Sequence, residues 1–199
     1  MRLSALEPAL ALIGAIGMIA STACTTATPT ETPGLYLVGK TVLHYKGPEV
    51  ETVLSYRVAT LRPGEDWLFL DVAITGTGRD SVELKREKIS VRIPSGDVVP
   101  LATQREFGEV YPQLTAALAR ADVAAEPLDY FVNRKPKSLN FLVAPGTGIS
   151  FDSVWVNDLD VAVGRLCFFV PGGVQNGPYE LLIDLQESKV RIPFRLGET

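Results

Sequence analysis

Two segments near the C-terminus alternate between apolar and other residues. Residues 178–185 read PYELLIDL, residues 189–196 read KVRIPFRL, and a short polar stretch joins them. A period of two puts every second side chain on the same face, which is the pattern of a half-buried β-strand. The pair therefore predicts an antiparallel hairpin. Pro193 has no amide hydrogen to donate, so we expect its strand at the edge of a sheet.

The segment DWLFLDVAIT, residues 66–75, is largely apolar on both of its alternating faces. Such a strand must be covered on both sides, so we expect it in the centre of a sheet. Strand-like segments recur along the chain, about nine to eleven in all, at the spacing typical of a β-sandwich or barrel. The other candidate strands are 35–45, 50–59, 81–84, 88–93, 98–102, 138–143, 151–156 and 165–170.

One segment breaks the strand pattern. In YPQLTAALARADVA, residues 111–124, Leu114, Leu118 and Ala121 recur at helical spacing. Pro112 suits the first position of a helix, where a missing N–H costs nothing. We expect one short helix from about Pro112 to Asp122, in a connection that caps an open end of the sandwich. The predicted fold is mainly β, an antiparallel sandwich with one short helix.

The N-terminus has the pattern of an export signal. Arg2 precedes an uncharged apolar run at residues 9–20, and small residues follow. This order is typical of a secretory signal peptide, which we place at residues 1–23. Residues 24–34 are Thr- and Pro-rich with too little apolar content to fold, and we expect them to form a tether. The folded domain is expected at residues 35–199.

Cys24 directly follows the small residues that end the apolar run. This arrangement resembles the lipobox of bacterial lipoproteins, in which the cysteine is acylated and becomes the first residue of the mature chain. Ser21 departs from it, because lipoboxes usually carry Leu, Val or Ile there. We expect lipidation of Cys24, and the alternatives are ordinary secretion and an uncleaved anchor. Acylation leaves Cys167 as a free, buried thiol, whereas an unmodified Cys24 allows a disulfide between the two cysteines in an oxidising compartment.

Two longer stretches carry a resemblance to a known family. Residues 66–101, DWLFLDVAITGTGRDSVELKREKISVRIPSGDVVPL, combine a long apolar strand, a polar turn, a Val-x-Leu strand and a strand that ends at a Gly turn. Residues 164–185, GRLCFFVPGGVQNGPYELLIDL, combine a strand, a Pro-Gly turn and a Tyr-containing strand. Both resemble the immunoglobulin-like domains of bacterial envelope lipoproteins of unknown function. The resemblance implies an immunoglobulin-like antiparallel β-sandwich on a lipid anchor, and it brings no catalytic residues with it.

The sequence offers few residues for catalysis or metal binding. The one histidine, His44, lies in a strand pattern that favours a structural role over that of a proton shuttle. His44 and Cys167 do not make a zinc ligand set, and the acidic run 157–160 lacks the loop pattern of calcium sites. The glycine-rich spots 76–78 and 171–173 precede strands, whereas a phosphate loop precedes a helix. We therefore expect no catalytic residue, no metal and no cofactor.

The charge of the chain argues against one class of partner. The net charge is −4, and the basic run Arg134–Lys137 is short. Nucleic-acid binding needs clustered Lys and Arg to neutralise phosphates, so we expect no nucleic-acid partner. We interpret Arg134–Lys137 as a solvated loop, and we expect Trp67 and Trp155 in the core or at its rim.

Two functions from different classes follow from these observations. The leading hypothesis is a non-enzymatic, exported protein, lipid-anchored to the cell membrane and facing the periplasm or the cell exterior. Its sandwich would bind or assemble with a protein partner of the envelope. The alternative is a carrier or sensor of a small ligand, held in an apolar pocket near Leu114 and Leu118 at the helix-capped end. A carboxylate-based enzyme comes third, and it would need two acidic side chains facing each other in a cleft.

Overall fold

The computed structural model describes residues 32–62 and 64–197, which belong to one compact unit. Cys24, the predicted signal peptide and most of the predicted tether lie outside the described residues. The described chain is mainly β. Its strands are β1 (Leu35–Gly39), β2 (Val42–Lys46), β3 (Val50–Ser55), β4 (Trp67–Gly76), β5 (Val82–Lys85), β6 (Ile89–Arg92), β7 (Val98–Pro100), β8 (Lys135–Ser138), β9 (Ser153–Val156), β10 (Asp160–Phe169), β11 (Gly177–Asp184) and β12 (Lys189–Leu196), and its α-helices are α1 (Arg57–Thr60) and α2 (Gln104–Ala124).

The strand order is that of an immunoglobulin-like sandwich. One sheet has the order β1-β2-β3-β4-β10-β8, the second has the order β12-β11-β6-β7, and β5 pairs with β9 in a separate ribbon. Strands β3, β4 and β10 correspond to strands A, B and E of that fold, and β6, β11 and β12 correspond to C, F and G. Among the described strands, β8 departs from antiparallel pairing because it runs parallel to β10. The predicted fold class is confirmed.

The two sheets enclose a core of alternating side chains. On β4, the inward residues Leu68, Leu70, Val72 and Ile74 are fully buried, and they belong to the same cluster as Leu181 and Ile183 of β11. Burial alternates along β12 as its sequence predicts, with buried Val190, Ile192, Phe194 and Leu196 separated by exposed residues. Strand β12 lies at the edge of its sheet, as Pro193 predicts. A proline has no amide hydrogen to donate, so it fits a strand that has a neighbouring strand on one side only.

A tyrosine hydroxyl braces the start of β11. The hydroxyl of Tyr179 donates to the carbonyl oxygen of Gln175 at 2.8 Å and accepts from the Gln175 N–H at 3.0 Å. A tyrosine at the start of strand F that bonds to the backbone just upstream is the tyrosine corner of immunoglobulin-like domains. The ring stacks on Phe194 of β12, with 5.4 Å between ring centroids, so this residue joins two strands and a loop.

The helix is longer than predicted, and its expected place was wrong. It begins at Gln104, not near Pro112, because Thr103 and Glu106 form a capping box at its first turn. Pro112 lies inside the helix, where a proline costs about 3 kcal/mol. Burial of apolar side chains such as Phe107 and Leu114, each contributing about 1.5–3 kcal/mol, offsets that cost.

Helix α2 covers the outer face of the larger sheet and does not cap an open end of the sandwich. Its buried residues pack in one cluster with Trp67, Phe69 and Cys167, which point outward from β4 and β10. That outer face is apolar at this end, so without the helix it would be exposed to water. The helix therefore makes a third layer on one side of the sandwich.

Ion pairs fix the C-terminal end of the helix to the sheet. Arg165 of β10 donates to Asp71 of β4 at 2.8 Å and to Asp122 of α2 at 2.7 Å. Just beyond the helix, Glu126 accepts hydrogen bonds from Ser55 and from Thr41. Burial raises the pKa of Asp71, and the hydrogen bond and the charge of Arg165 oppose that effect. Each buried charge in this layer has a partner, which is the condition for tolerating it.

Three strand predictions differ from the structure. Residues 35–45 form two strands, β1 and β2, instead of one, and residues 50–59 end as a strand at Ser55 and continue into α1. Residues 138–143 are not a strand beyond Ser138. Leu139 and Phe141 are buried although they do not belong to a strand. Because two apolar residues separated by one position also occur in strands, the sequence could not distinguish the two cases. The prediction of a solvated loop at Arg134–Lys137 is wrong, because most of this run belongs to β8.

Candidate functional site

A groove of about 710 Å³ opens beside β7, between this edge strand and the first turns of α2. Several parts of the chain contribute to it: the start of β4, the β6–β7 turn, β7, the start of α2, the end of β10 with the chain that follows it, and the start of β11. The volume lies in the range of about 300–1,000 Å³ that small-molecule sites occupy. Its apolar lining includes Trp67, Ile93, Val98, Val99, Val110 and Phe169.

The aromatic side of the groove is a cross-strand pair. Trp67 and Phe169 are register partners on β4 and β10, and their ring centroids are 5.7 Å apart with the planes tilted by 59°. Trp67 is 9% exposed and packs in the cluster under α2, whereas Phe169 is 49% exposed. A half-exposed phenylalanine beside a concave surface presents apolar area that a ligand can cover.

Carboxylates supply the charge of the groove. Its lining contains Asp97, Glu106 and Glu109, and no Lys, Arg or His is among the lining residues that the structure describes. Glu106 accepts hydrogen bonds from the N–H and the hydroxyl of Thr103, both at 2.8 Å, and these bonds lower its pKa. Asp97 accepts a hydrogen bond of 2.7 Å from the hydroxyl of Ser95.

Strand β7 also offers backbone groups. The N–H of Ile93 donates to Asp97 and that of Leu101 donates to Ile89, so the ladder between β6 and β7 bonds through the odd-numbered residues. Antiparallel pairing alternates, and the N–H and C=O of Val98 therefore point away from β6. The next outward position is Pro100, which has a carbonyl but no N–H. A ligand in the groove thus meets one backbone donor and two acceptors on this strand.

The two residues with nucleophile or proton-shuttle chemistry lie apart from the groove lining. Cys167 is buried under α2, and burial raises the pKa of its thiol to about 12. His44 of β2 shares a 3.0 Å contact between its Nε2 and a carboxylate oxygen of Glu51, and its ring meets that of Phe131 edge to face. Neither residue contacts the other, so the structure does not bring them together as a catalytic pair.

The acidic run at residues 157–160 is engaged in the fold. Asp160 pairs with Lys137 at 3.1 Å, and Asp152 pairs with Arg86 at 3.1 Å. In the part of the chain that the structure describes, no group of three His, Cys, Asp or Glu residues could hold a metal ion. A side chain at Gly76 would meet the backbone of Asn157 at 2.6 Å, so this glycine permits the close approach of the acidic loop to β4. The other glycine spot, at residues 171–173, lies in a turn with positive φ at Gly172 and Gly173.

The sequence predictions missed the residues that build the groove from the helix. Glu106, Glu109 and Val110 lie in the first turns of α2, which the pattern around Pro112 left out. The signal that reveals these turns is the capping box itself, because Thr103 and Glu106 have the Thr-x-x-Glu spacing that marks a helix start. The predicted pocket near Leu114 and Leu118 is not where the groove lies. Of the two tryptophans, Trp67 lines the groove and Trp155 is half-exposed on β9.

The fold and the groove together define a class: an immunoglobulin-like β-sandwich with a lateral helix and a concave, acidic, partly apolar groove. No family model matches the sequence, and no curated protein matches it. Among solved structures, the YjhA protein from Bacillus subtilis is similar at 12% identity, covering 77% of this chain and 96% of that chain, with a TM-score of 0.41. So distant a likeness assigns no function. No helix among the described residues is long and apolar enough to cross a membrane.

Proposed function

We propose that this chain is a non-enzymatic binding protein, exported and held to the membrane by a lipid on Cys24, whose sandwich binds a ligand in the groove beside β7. The observation that carries the proposal is the groove itself. It is concave, its volume suits a small molecule, and an aromatic pair lies within its apolar lining. Between the two functions considered from the sequence, these features favour the small-ligand carrier or sensor.

Displacement of an apolar probe tests the groove. Val98 lines it and is 49% exposed, so a Val98→Trp substitution fills the groove without removing a core contact. We expect the neutral dye Nile red to bind the wild-type protein and to bind the Val98→Trp variant at least about tenfold more weakly. The matched control is Val123→Trp on α2, where Val123 is 90% exposed and does not line the groove. Equal binding of the dye by both tryptophan variants would place the ligand site elsewhere.

The anchor is tested separately. Cys24 follows a signal-like run and precedes a Thr- and Pro-rich stretch, which supports attachment to a membrane through a tether. We expect mass spectrometry of the mature protein from its host envelope to find a diacylated N-terminal Cys24. An unmodified Cys24, or a mature chain that starts at another residue, would refute the lipid anchor and leave the groove proposal intact.

The chemistry of the groove supports the proposal that this protein is not an enzyme. Its described polar side chains are carboxylates, one serine, one glutamine and the tyrosine of the corner, and the last of these is committed to the backbone of Gln175. The buried Cys167 and the strand residue His44 do not line it. Ser95 and Asp97 place a hydroxyl in hydrogen-bond contact with a carboxylate, but no His, Lys or Cys is among the described lining residues to complete a proton-relay triad.

Exposed apolar residues near β8 and β9 support a second candidate, the assembly of the sandwich with a protein partner. Trp155, Phe151 and Leu159 are each more than half exposed. Hydrogen bonds from Lys137 to Trp155, from Phe151 to Asn140 and from Lys135 to Leu159 show that their segments are neighbours. We expect crosslinking in intact envelopes to capture a specific partner that a Trp155→Lys variant loses. Capture of no partner, or equal capture by that variant, would remove this candidate.

A further inference from the structure

We infer that the groove beside β7 takes an organic cation that carries an apolar body. This inference rests on the groove being the ligand site proposed above. The one-sided charge of the groove and its aromatic pair are the two observations from which the chemistry of the ligand follows.

The charge of the lining selects the sign of the ligand. Three carboxylates face or border the groove and no basic side chain lines it. The charge of Glu106 is partly balanced, because Arg105 and Arg86 both lie near enough to lower its pKa. Asp97 and Glu109 have no basic partner within ion-pair distance among the described residues. An anion in this groove would be repelled, whereas a cation would complete two unpaired charges.

The aromatic pair selects an apolar body and favours a cation at its end. Phe169 is half-exposed and lines the groove, and Trp67 lines the groove with a small exposed area. A cation within about 6 Å of such a ring is attracted by its quadrupole. Ile93, Val98 and Val110 add aliphatic surface around it. A bare metal ion would leave this apolar lining in water, and a purely apolar ligand would leave the carboxylates without a partner. An amine or quaternary ammonium on a hydrocarbon or aromatic body satisfies both.

Trp67 can report on binding directly. The chain contains two tryptophans, and Trp155 is half-exposed on β9 and does not line the groove. A Trp155→Phe substitution therefore leaves Trp67 as the sole tryptophan, and we expect its fluorescence to change when a ligand fills the groove that it lines. The full-length protein with this substitution is titrated below the micellar concentration with three probes of equal chain length: octyltrimethylammonium, octyl sulfate and octyl glucoside.

We expect octyltrimethylammonium to bind about tenfold more tightly than octyl sulfate, with octyl glucoside between them. Combining Asp97→Asn with Glu109→Gln should remove most of this preference, because each partly exposed charge pair contributes about a two- to fivefold effect. Asp129→Asn, an exposed acid outside the groove lining, serves as the matched control and should retain the preference.

The outcomes separate the two proposals. Equal or tighter binding of octyl sulfate, or a preference that survives the double substitution, would overturn the inference about the cation. In both cases a groove that still binds octyl glucoside would leave the proposed function standing. If none of the three probes changes Trp67 fluorescence and Nile red also fails to bind, the groove is not a ligand site and both proposals fall.

Discussion

The hydroxyl of Tyr179 joins β11 to the loop before it. Its replacement by phenylalanine keeps the ring stacked on Phe194 but removes both hydrogen bonds to Gln175. The Gln175 N–H then loses its partner, and we expect the free energy of unfolding to fall by about 1–3 kcal/mol. Urea denaturation measures the change. Tyr130→Phe is the control, since Tyr130 is exposed, and a loss as small as in that variant would mean that the corner contributes nothing.

Cys167 should be unreactive while the protein is folded. Its thiol is buried under α2, and desolvation raises its pKa to about 12, so the reactive thiolate is scarce at neutral pH. In a Cys24→Ser variant, where Cys167 is the only thiol, we expect a disulfide reagent such as Ellman's reagent to react only after denaturant unfolds the protein. Rapid reaction of the native variant at pH 8 would contradict the burial of this side chain.

At the scale of elements, the start of α2 matters most because it forms one wall of the groove. Thr103→Ala removes the side-chain half of the capping box, and we expect the free energy of unfolding at pH 7 to fall by about 1 kcal/mol. The pKa of Glu106 is lowered by its bonds to Thr103, so the stabilisation is present above the ordinary value of 4.5 and is lost as the pH falls through the folded-state pKa.

The difference in unfolding free energy between wild type and the Thr103→Ala variant should therefore shrink between pH 7 and pH 3. Thermal or urea unfolding at both pH values measures it. The variant keeps the backbone N–H bond from Thr103 to Glu106, so a difference that is constant with pH would show that the hydroxyl of Thr103 does not help to lower the pKa of Glu106.

The elements could be predicted to different degrees for identifiable reasons. The strands β11 and β12 alternate over eight residues each, and their inward faces match the buried residues. Strand β4 could be predicted for another reason, because both of its faces are largely apolar and all of its residues are buried. The short helix α1 and the break between β1 and β2 could not be found, because these pieces are too short to show a period. The start of α2 could have been found, since Thr103 and Glu106 mark it, but Pro112 gave a competing signal for a later start.

At the scale of the whole molecule, the class of fold could be predicted and the groove could not. A series of strands with alternating apolar residues and turns between them indicates a sandwich, whichever strands pair with each other. The groove arises where Trp67, Val98, Glu109 and Phe169 meet, and only the pairing of β4 with β10 and the packing of α2 bring these residues together. No local pattern in the sequence carries that information. The apolar spacing in α2 predicted a helix but not its place, because sequence periodicity does not indicate which surface a helix covers. The prediction that it caps an open end of the sandwich was therefore wrong.

The proposed lipid anchor would hold the groove near a membrane surface. A chain spans at most about 3.3–3.6 Å per residue, so the short segment between Cys24 and β1 would keep an anchored sandwich close to the membrane surface. A carrier or sensor in that position would meet amphiphilic cations at the surface where they concentrate. The proposal of a lipid anchor and the proposal of the groove support each other in this respect but are tested independently.

Native mass spectrometry of the protein purified from its host cells tests the central claim most directly. We expect the wild-type protein and the Val123→Trp variant to retain a non-covalent small-molecule adduct, and we expect the Val98→Trp variant, whose groove is filled, to lack it. An adduct that Val98→Trp retains at the wild-type level, or the absence of any adduct from all three proteins, would contradict the account of the groove as a ligand site.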